Sequence, residues 1–234
     1  MIAQLEQLDA VLFDLDGTLI DSEYFYYSNW SPILAKEFGL RITFEDWIQY
    51  FAGHTLVRNV SMLMDSYGIE TTEEFMWKET RANYAKSDMT TIRLMPYAKE
   101  ILEKLTTENK RLALVTSSYQ TTVDTVLGQH GLLEHFEFFI TREKVVYAKP
   151  NPEPYLLATE TLGLPKENIM AIEDTSTGCA AAKGAGLTCV AVTKYGSEIE
   201  KLSKADRIVG SLQEVNELLF ANDEGGLSVL GYKK

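Results

Sequence analysis

Apolar positions along the chain follow two rhythms. Short apolar, strand-like runs recur at residues 10–13, 112–115, 138–140, 169–172 and 189–192, and at 207–209 after an opening Arg207, with the length and character of strands in a buried parallel sheet. Between the later runs the apolar residues return at helical intervals: Tyr97, Ile101 and Leu105, then Val123, Val126 and Leu127, then Leu212, Val215, Leu218 and Leu219. From residue 96 onward this alternation predicts a parallel sheet with helices on both faces. Several boundaries are marked. Ser211 with Glu214 and Ser197 with Glu200 have capping-box spacing, and Gly131 and Gly163 stand where helices should end.

The first strand breaks the rhythm, because about seventy residues separate Asp21 from Arg93 before the alternation resumes. That stretch reads as helical throughout: Trp30, Ile33 and Leu34; Leu56, Val60, Leu63 and Met64; Phe75 and Trp77 through Tyr84. Thr43 with Asp46 and Thr71 with Glu74 are expected helix starts. The expected architecture is α/β: a Rossmann-like parallel core with helices on both faces, formed by residues 1–20 and 93–234, and an all-helical cap inserted as residues 21–92. The chain would cross between the two near residues 17–21 and 92–95, and two short crossings suit a hinge. Residues 222–234 carry three glycines and no helical period, as a short edge strand or a loose end would.

Composition changes this picture little. At 234 residues, 45% apolar and 24% charged, the chain is ordinary for a soluble globular protein with one substantial core. No apolar run is long enough to cross a bilayer, the N-terminus lacks the pattern of a signal peptide, and the cytoplasm is the expected compartment. A net charge of -12 disfavours nucleic acid and anionic membrane as partners, but leaves room for a small phosphorylated metabolite held by a local cation. A monomer or weak homo-oligomer is expected. Cys179 and Cys189 read as buried core residues and not as a structural disulfide.

The candidate chemistry lies at strand ends, where open parallel sheets bind ligands. Asp14 and Asp16 follow the first run, Thr116-Ser117-Ser118 the second, and Glu173-Asp174 the run at 169–172; Lys149 stands before Pro150 in the loop after 138–140. Four carboxylates near one another, joined by a phosphate, would need a divalent cation, and oxygen ligands without thiol or imidazole suit Mg²⁺. Thr116 and Ser117 offer a hydroxyl and an N–H near a helix start, suited to a phosphate oxygen. Each feature has a plainer reading: Lys149 as a solvated lysine, Glu173 and Asp174 as a helix cap, Ser117 and Ser118 as turn residues. A calcium loop starting at Asp14 would need glutamate at its twelfth position, which is Phe25. The glycine and alanine run at 178–186 follows the acidic pair instead of opening a βαβ unit, so close helix packing explains it better than a dinucleotide site.

Taken in order, Asp14-Leu15-Asp16-Gly17-Thr18-Leu19, Thr116-Ser117-Ser118, Lys149-Pro150 and Glu173-Asp174 with Gly178 resemble the four motifs of the haloacid dehalogenase-like hydrolases. The helical insertion resembles the cap of the subgroup that includes phosphoglycolate phosphatases, sugar-phosphate phosphatases and beta-phosphoglucomutase. The resemblance implies that Asp14 is the nucleophile, forming an aspartyl phosphate, and that Asp16 is the general acid and base. It implies Mg²⁺ held by Asp14, the Asp16 backbone carbonyl and Asp174, with Glu173 in the outer shell. Thr116, Ser117 and Lys149 would grip the phosphoryl group, and Gly17 would supply the turn that brings backbone N–H groups to it.

Substrate choice would fall to the cap. Its aromatic residues, Tyr24 through Tyr27, Trp30, Trp47, Tyr50 and Phe51, read mostly as cap core. Glu23, Tyr26 and Tyr27, nearest the crossing, are candidates to shape the leaving group, and His54 either touches substrate or serves the cap. Tyr26 and Leu56 stand where beta-phosphoglucomutase has a histidine and an arginine, so hydrolysis is preferred to a phosphosugar mutase reaction. A non-catalytic phosphate-binding protein is the third reading. The bases Arg41, Arg58, Lys78, Arg81, Lys86 and Arg93 are scattered, which favours a small sugar or polyol monophosphate over a substrate gripped by a second phosphate.

Overall fold

The computed structural model describes residues 7–52, 54, 56–193 and 199–220. Ser197 of one expected cap, Gly53 beside His54, and the tail at 222–234 lie outside these residues. In chain order the elements are β1 (Ala10–Phe13), β2 (Ile20–Asp21), α1 (Glu23–Phe38), α2 (Phe44–Tyr50), α3 (Leu56–Tyr67), α4 (Glu73–Tyr84) and β3 (Arg93–Leu94). There follow α5 (Ala98–Thr107), β4 (Arg111–Val115), α6 (Gln120–Gln129), β5 (Phe138–Ile140), α7 (Glu153–Leu162), β6 (Ile169–Glu173), α8 (Ser176–Gly184), β7 (Thr188–Val192), β8 (Arg207–Val209) and α9 (Leu212–Phe220).

Six strands form one parallel sheet in the order β5-β4-β1-β6-β7-β8. Each central strand divides its side chains between the two faces with period two. Val11, Phe13, Leu112, Leu114, Met170, Ile172, Val190 and Val192 pack under α5, α6 and α9. Ala10, Leu12, Ala113, Val115, Ile169, Ala171, Cys189 and Ala191 pack under α7 and α8. Both faces are therefore dry, which is why the strands read as continuous apolar runs. The second face carries smaller side chains, and α8 matches it with Cys179, Ala181 and Ala182, all fully buried. Both cysteines are core residues, as expected.

Between β1 and β4 the chain leaves the sheet to build the helical insertion. The crossing is a two-stranded antiparallel ribbon in which Ile20 faces Leu94 and Asp21 faces Arg93. The insertion has its own core of Trp30, Ile33, Leu34, Ile42, Trp47, Phe51, Val60, Leu63 and Met76. Trp47 and Phe51 stack with ring centroids 5.5 Å apart. Tyr24 departs from the expected cap core and is 62% exposed.

Local signals locate most helix ends. Thr43 and Asp46 form a reciprocal capping box at α2. Gly163 closes α7 with a left-handed φ of 63°. At α4 the cap is Thr72, whose hydroxyl accepts from the Phe75 N–H at 3.1 Å, and not the expected Thr71. Two adjacent threonines offer the same hydroxyl, and only the backbone turn chooses between them. Tyr97, expected within a helix, precedes α5 in a left-handed conformation with φ 71°. Among the described residues no helix is long and apolar enough to cross a membrane.

Candidate active site

The register of the three central strands brings the polar residues together. Phe13 lies beside Leu114 on one side and Ile172 on the other, so the next residues, Asp14, Val115 and Glu173, end the strands at one level. By alternation Asp14 and Glu173 both project toward the face covered by α7. Lys149, carried there by the loop before α7, donates to all three: to Asp14 Oδ1 at 2.6 Å, to Glu173 Oε1 at 2.6 Å and to the Val115 carbonyl at 2.8 Å. Its three ammonium protons are thus committed. Tyr155 on α7 adds a hydroxyl to Glu173 Oε1 at 2.7 Å.

This triad is buried, with Lys149 8% exposed, Asp14 7% and Glu173 0%. Burial pushes the Lys149 ammonium down, but the Asp14 and Glu173 carboxylates outweigh it and hold it above the ordinary lysine value. Burial raises Asp14 to about 7, with Lys149 opposing and Glu173 and Asp16 adding to the rise. Asp174 is held well above the carboxylate range by burial first, then by Asp14, Glu173 and Glu23. One lysine does not balance this many carboxylates.

Asp16 lines the same cavity as Asp14 and Lys149. Its Oδ1 accepts from the Tyr26 hydroxyl at 2.7 Å and its Oδ2 from the Ser118 hydroxyl at 2.6 Å. Tyr26 belongs to α1 of the insertion and Ser118 to the loop after β4, so the carboxylate is fixed from both bodies. Burial, and then the Asp16 charge, hold the Tyr26 hydroxyl well above its usual value, keeping it a donor.

Two glycines are required by close approach. A Cβ on Gly17, whose φ is +81°, would sit 2.0 Å from Asp174 Oδ2; one on Gly178 would sit 2.0 Å from Glu173 Oε1. Gly17 gives its own N–H to the Ile20 carbonyl at 2.8 Å, so that amide is spent on the turn and not directed at a ligand.

The remaining sequence candidates separate. Ser117 lines the cavity beside Ser118. Thr116 is buried, its N–H donating to the Ile140 carbonyl at 2.9 Å and its Oγ1 accepting from the Ser118 N–H at 2.9 Å. Glu23 and His54 line the cavity, and Glu23 Oε2 accepts from the Trp47 indole at 2.7 Å. Tyr27 turns away: its hydroxyl donates to the Ile42 carbonyl at 3.2 Å, and its ring packs on Tyr24 and Phe44. Helix capping is not the work of Glu173 and Asp174; α8 is capped by Thr175, whose Oγ1 accepts from the Gly178 N–H at 3.1 Å. Sequence reasoning missed the parts played by Ser118 and Tyr155. Ser118 had only its place beside Ser117 as a signal, and Tyr155 had none beyond following the lysine loop.

The donor set suits a hard divalent cation. Carboxylate oxygens of Asp14, Glu173 and Asp174 lie within 4.8 Å of one another. Asp174 Oδ1 is buried without a hydrogen-bond partner, and such an oxygen costs free energy unless something positive meets it. Above these groups opens a cavity of about 720 Å³, lined also by Trp30, Trp47 and Trp77 of the insertion.

Comparison with known proteins places this geometry. The family model described as haloacid dehalogenase-like hydrolase matches residues 11–192. The chain is 30% identical over 205 residues to validoxylamine A 7'-phosphate phosphatase of Streptomyces hygroscopicus subsp. limoneus, covering 87% of this chain and 94% of that protein. It is 29% identical over 180 residues to the phosphorylated carbohydrates phosphatase of Thermotoga maritima, covering 77% and 82%. A crystal structure of a HAD family hydrolase from Deinococcus radiodurans R1, with bound phosphate and sodium, superposes with a TM-score of 0.74 at 27% identity, covering 93% of this chain and 97% of that one. The chain is an enzyme that belongs to the haloacid dehalogenase-like hydrolases, in their capped phosphatase subgroup.

Proposed function

We propose that the protein is a Mg²⁺-dependent phosphatase that hydrolyses a small phosphate monoester, with a sugar or polyol phosphate preferred. The observation that carries this reading is the Asp14–Lys149–Glu173 triad beside the partnerless Asp174 oxygen. Such an arrangement holds one carboxylate ready to attack while leaving charge for a cation to balance. The names of the relatives support the monoester class: one is a phosphatase of validoxylamine A 7'-phosphate and another of phosphorylated carbohydrates. The functional division that goes with it is a catalytic core of residues 1–20 and 93–234 and a cap of residues 21–92.

In this reading Asp14 is the nucleophile. Lys149 occupies Asp14 Oδ1, leaving Oδ2 to attack phosphorus in line with the departing alcohol. The bond from Asp14 to phosphorus forms as the ester P–O bond breaks, and Asp16 gives the alcohol its proton. Asp16 then takes a proton from water as that water attacks the aspartyl phosphate, and Asp14 leaves as a carboxylate. Asp14, Asp174 and the Asp16 backbone carbonyl would hold Mg²⁺, with Glu173 outside them. When bound, the ion supplies positive charge to the phosphoryl oxygens in the transition state. Lys149 acts chiefly by orienting Asp14, since its donors are already committed. Ser117, facing the cavity, meets the phosphoryl group, and Thr116 shapes the loop that presents it. Glu23, Tyr26 and His54 contact the leaving group's side of the cavity.

The test is a steady-state screen of phosphate monoesters with Mg²⁺, repeated on Asp14→Asn and Asp16→Ala. Phosphate release that falls at least ~10³-fold in Asp14→Asn supports the nucleophile; release that persists in that variant overturns it.

A further inference from the structure

Part of the insertion's share of the cavity wall is one face of α4 and its C-cap residue Ala85. Trp77, Thr80, Arg81, Tyr84 and Ala85 all line it, the i, i+3, i+4, i+7, i+8 stripe that a helix ordinarily buries in an apolar core. This stripe instead carries a guanidinium and a hydroxyl. The Arg81 guanidinium carbon lies 5.2 Å from the Trp77 ring centroid and 5.1 Å from that of Tyr119. Tyr119 follows Ser118, whose hydroxyl holds Asp16, and the cation lines the same cavity as Asp14 and Asp16. Contact with two aromatic rings sets its position and leaves its N–H groups to find acceptors.

Those N–H groups are uncommitted: among the described residues the Arg81 guanidinium has ring contacts but no hydrogen bond or ion pair. Glu143, a carboxylate lining the same cavity, is already engaged by the Gln120 N–H at 3.0 and 3.3 Å. Beside Arg81, Thr80 is 6% exposed and its Oγ1 has no hydrogen-bond partner. A fixed cation and an unsatisfied buried hydroxyl, in a cavity that Asp14, Asp16 and Asp174 also line, are complementary to an acceptor-rich anion.

We propose that Trp77, Thr80, Arg81 and Tyr119 form a second anion subsite, which takes a carboxylate or phosphate carried by the alcohol half of the phosphate monoester. The proposal rests on the phosphatase reading and sharpens it: of the scattered cap bases, Arg81 is the one that lines the cavity. The sugar or polyol preferred above would then be an acidic or doubly phosphorylated one.

The test separates binding from turnover. All three tryptophans line the cavity, so their fluorescence reports binding of hydrolysis-inert probes: propylphosphonate, 3-phosphonopropionate and propane-1,3-bisphosphonate, each with Mg²⁺. The wild type should bind at least one of the two doubly anionic probes about tenfold or more tighter than propylphosphonate, about 1.4 kcal/mol. Which probe wins distinguishes carboxylate from phosphate. In Arg81→Gln that ratio should fall to within about twofold of unity, with Arg81→Lys between, since lysine keeps charge but loses the planar fork. Equal affinity for all probes in the wild type, or an unchanged ratio in Arg81→Gln, overturns the subsite. Taking ratios within each variant cancels any general damage to the fold. The same variants are assayed on 2-phosphoglycolate and ethyl phosphate. Hydrolysis of both esters with one common loss in Arg81→Gln counts against the subsite alone. A charge-dependent binding ratio without hydrolysis of any ester supports the subsite and contradicts the phosphatase reading.

Discussion

Asp16 is fixed by two hydroxyls that come from different parts of the fold, Tyr26 from the insertion and Ser118 from the core. A group that must first protonate an alcohol and then activate water has to be aimed, and these two bonds aim it. Tyr26→Phe and Ser118→Ala should each lower kcat on an alkyl phosphate by about tenfold, the worth of one hydrogen bond to a charged group. On p-nitrophenyl phosphate, whose leaving group needs no proton, formation of the aspartyl phosphate, read from the rapid-quench burst, should slow less than about twofold, whereas its hydrolysis still needs Asp16 as base and should slow as it does for the alkyl ester. An equal loss in the phosphorylation step on both esters would show that the hydroxyls serve only the fold. The phosphorylation partners were legible because Asp14 with Asp16, Lys149 before Pro150, and Glu173 with Asp174 stand at strand ends in a fixed order. Ser118, Tyr155 and Arg81 were not, because each acts as one side chain at one place and no spacing marks it.

At the scale of elements, α8 packs its small residues against a face of the sheet that also holds Glu173. Gly178→Ala would drive a methyl group to 2.0 Å from the Glu173 carboxylate, displacing a group that Lys149 and Tyr155 both hold. Thermal unfolding should show a loss of about 2 kcal/mol or more, the range of a clash at a buried polar network. Gly39→Ala meets no atom within 4 Å and bears only the strain of φ +67°, so it should lose about 1 kcal/mol. Similar losses for the two would mean that the approach to Glu173 is not what requires glycine. The strands were readable from sequence because burial on both faces makes each a continuous apolar run. Their order across the sheet was not, since parallel neighbours are chosen by packing between distant segments. The Thr71 and Tyr97 expectations failed for a related reason: one hydroxyl or one ring satisfies the pattern equally well one residue away, and the backbone decides.

Across the whole molecule, Asp14 couples the site to stability. Its carboxyl is raised to about 7 from 3.8, chiefly by burial, so the native state binds this proton more tightly than the unfolded chain does. The stabilisation from that proton is complete below about pH 3.8 and is lost as pH rises through about 7. Without metal, the uncompensated carboxylates should therefore weigh against the fold above pH 7, and Mg²⁺ should relieve them there. The rise in melting temperature on adding Mg²⁺ should be larger at pH 8 than at pH 5, and larger in wild type than in Asp174→Asn at pH 8. A Mg²⁺ effect independent of pH and of Asp174 would contradict this placement of the ion. The account as a whole depends on Asp14 becoming covalently joined to phosphorus. The most direct measurement is the mass of the Asp14-containing peptide after rapid quenching during turnover, with hydroxylamine-treated and Asp14→Asn samples alongside. One phosphoryl group on that peptide, removed by hydroxylamine and missing from the variant, is the predicted result; turnover with the label on another residue, or undiminished in Asp14→Asn, would contradict it.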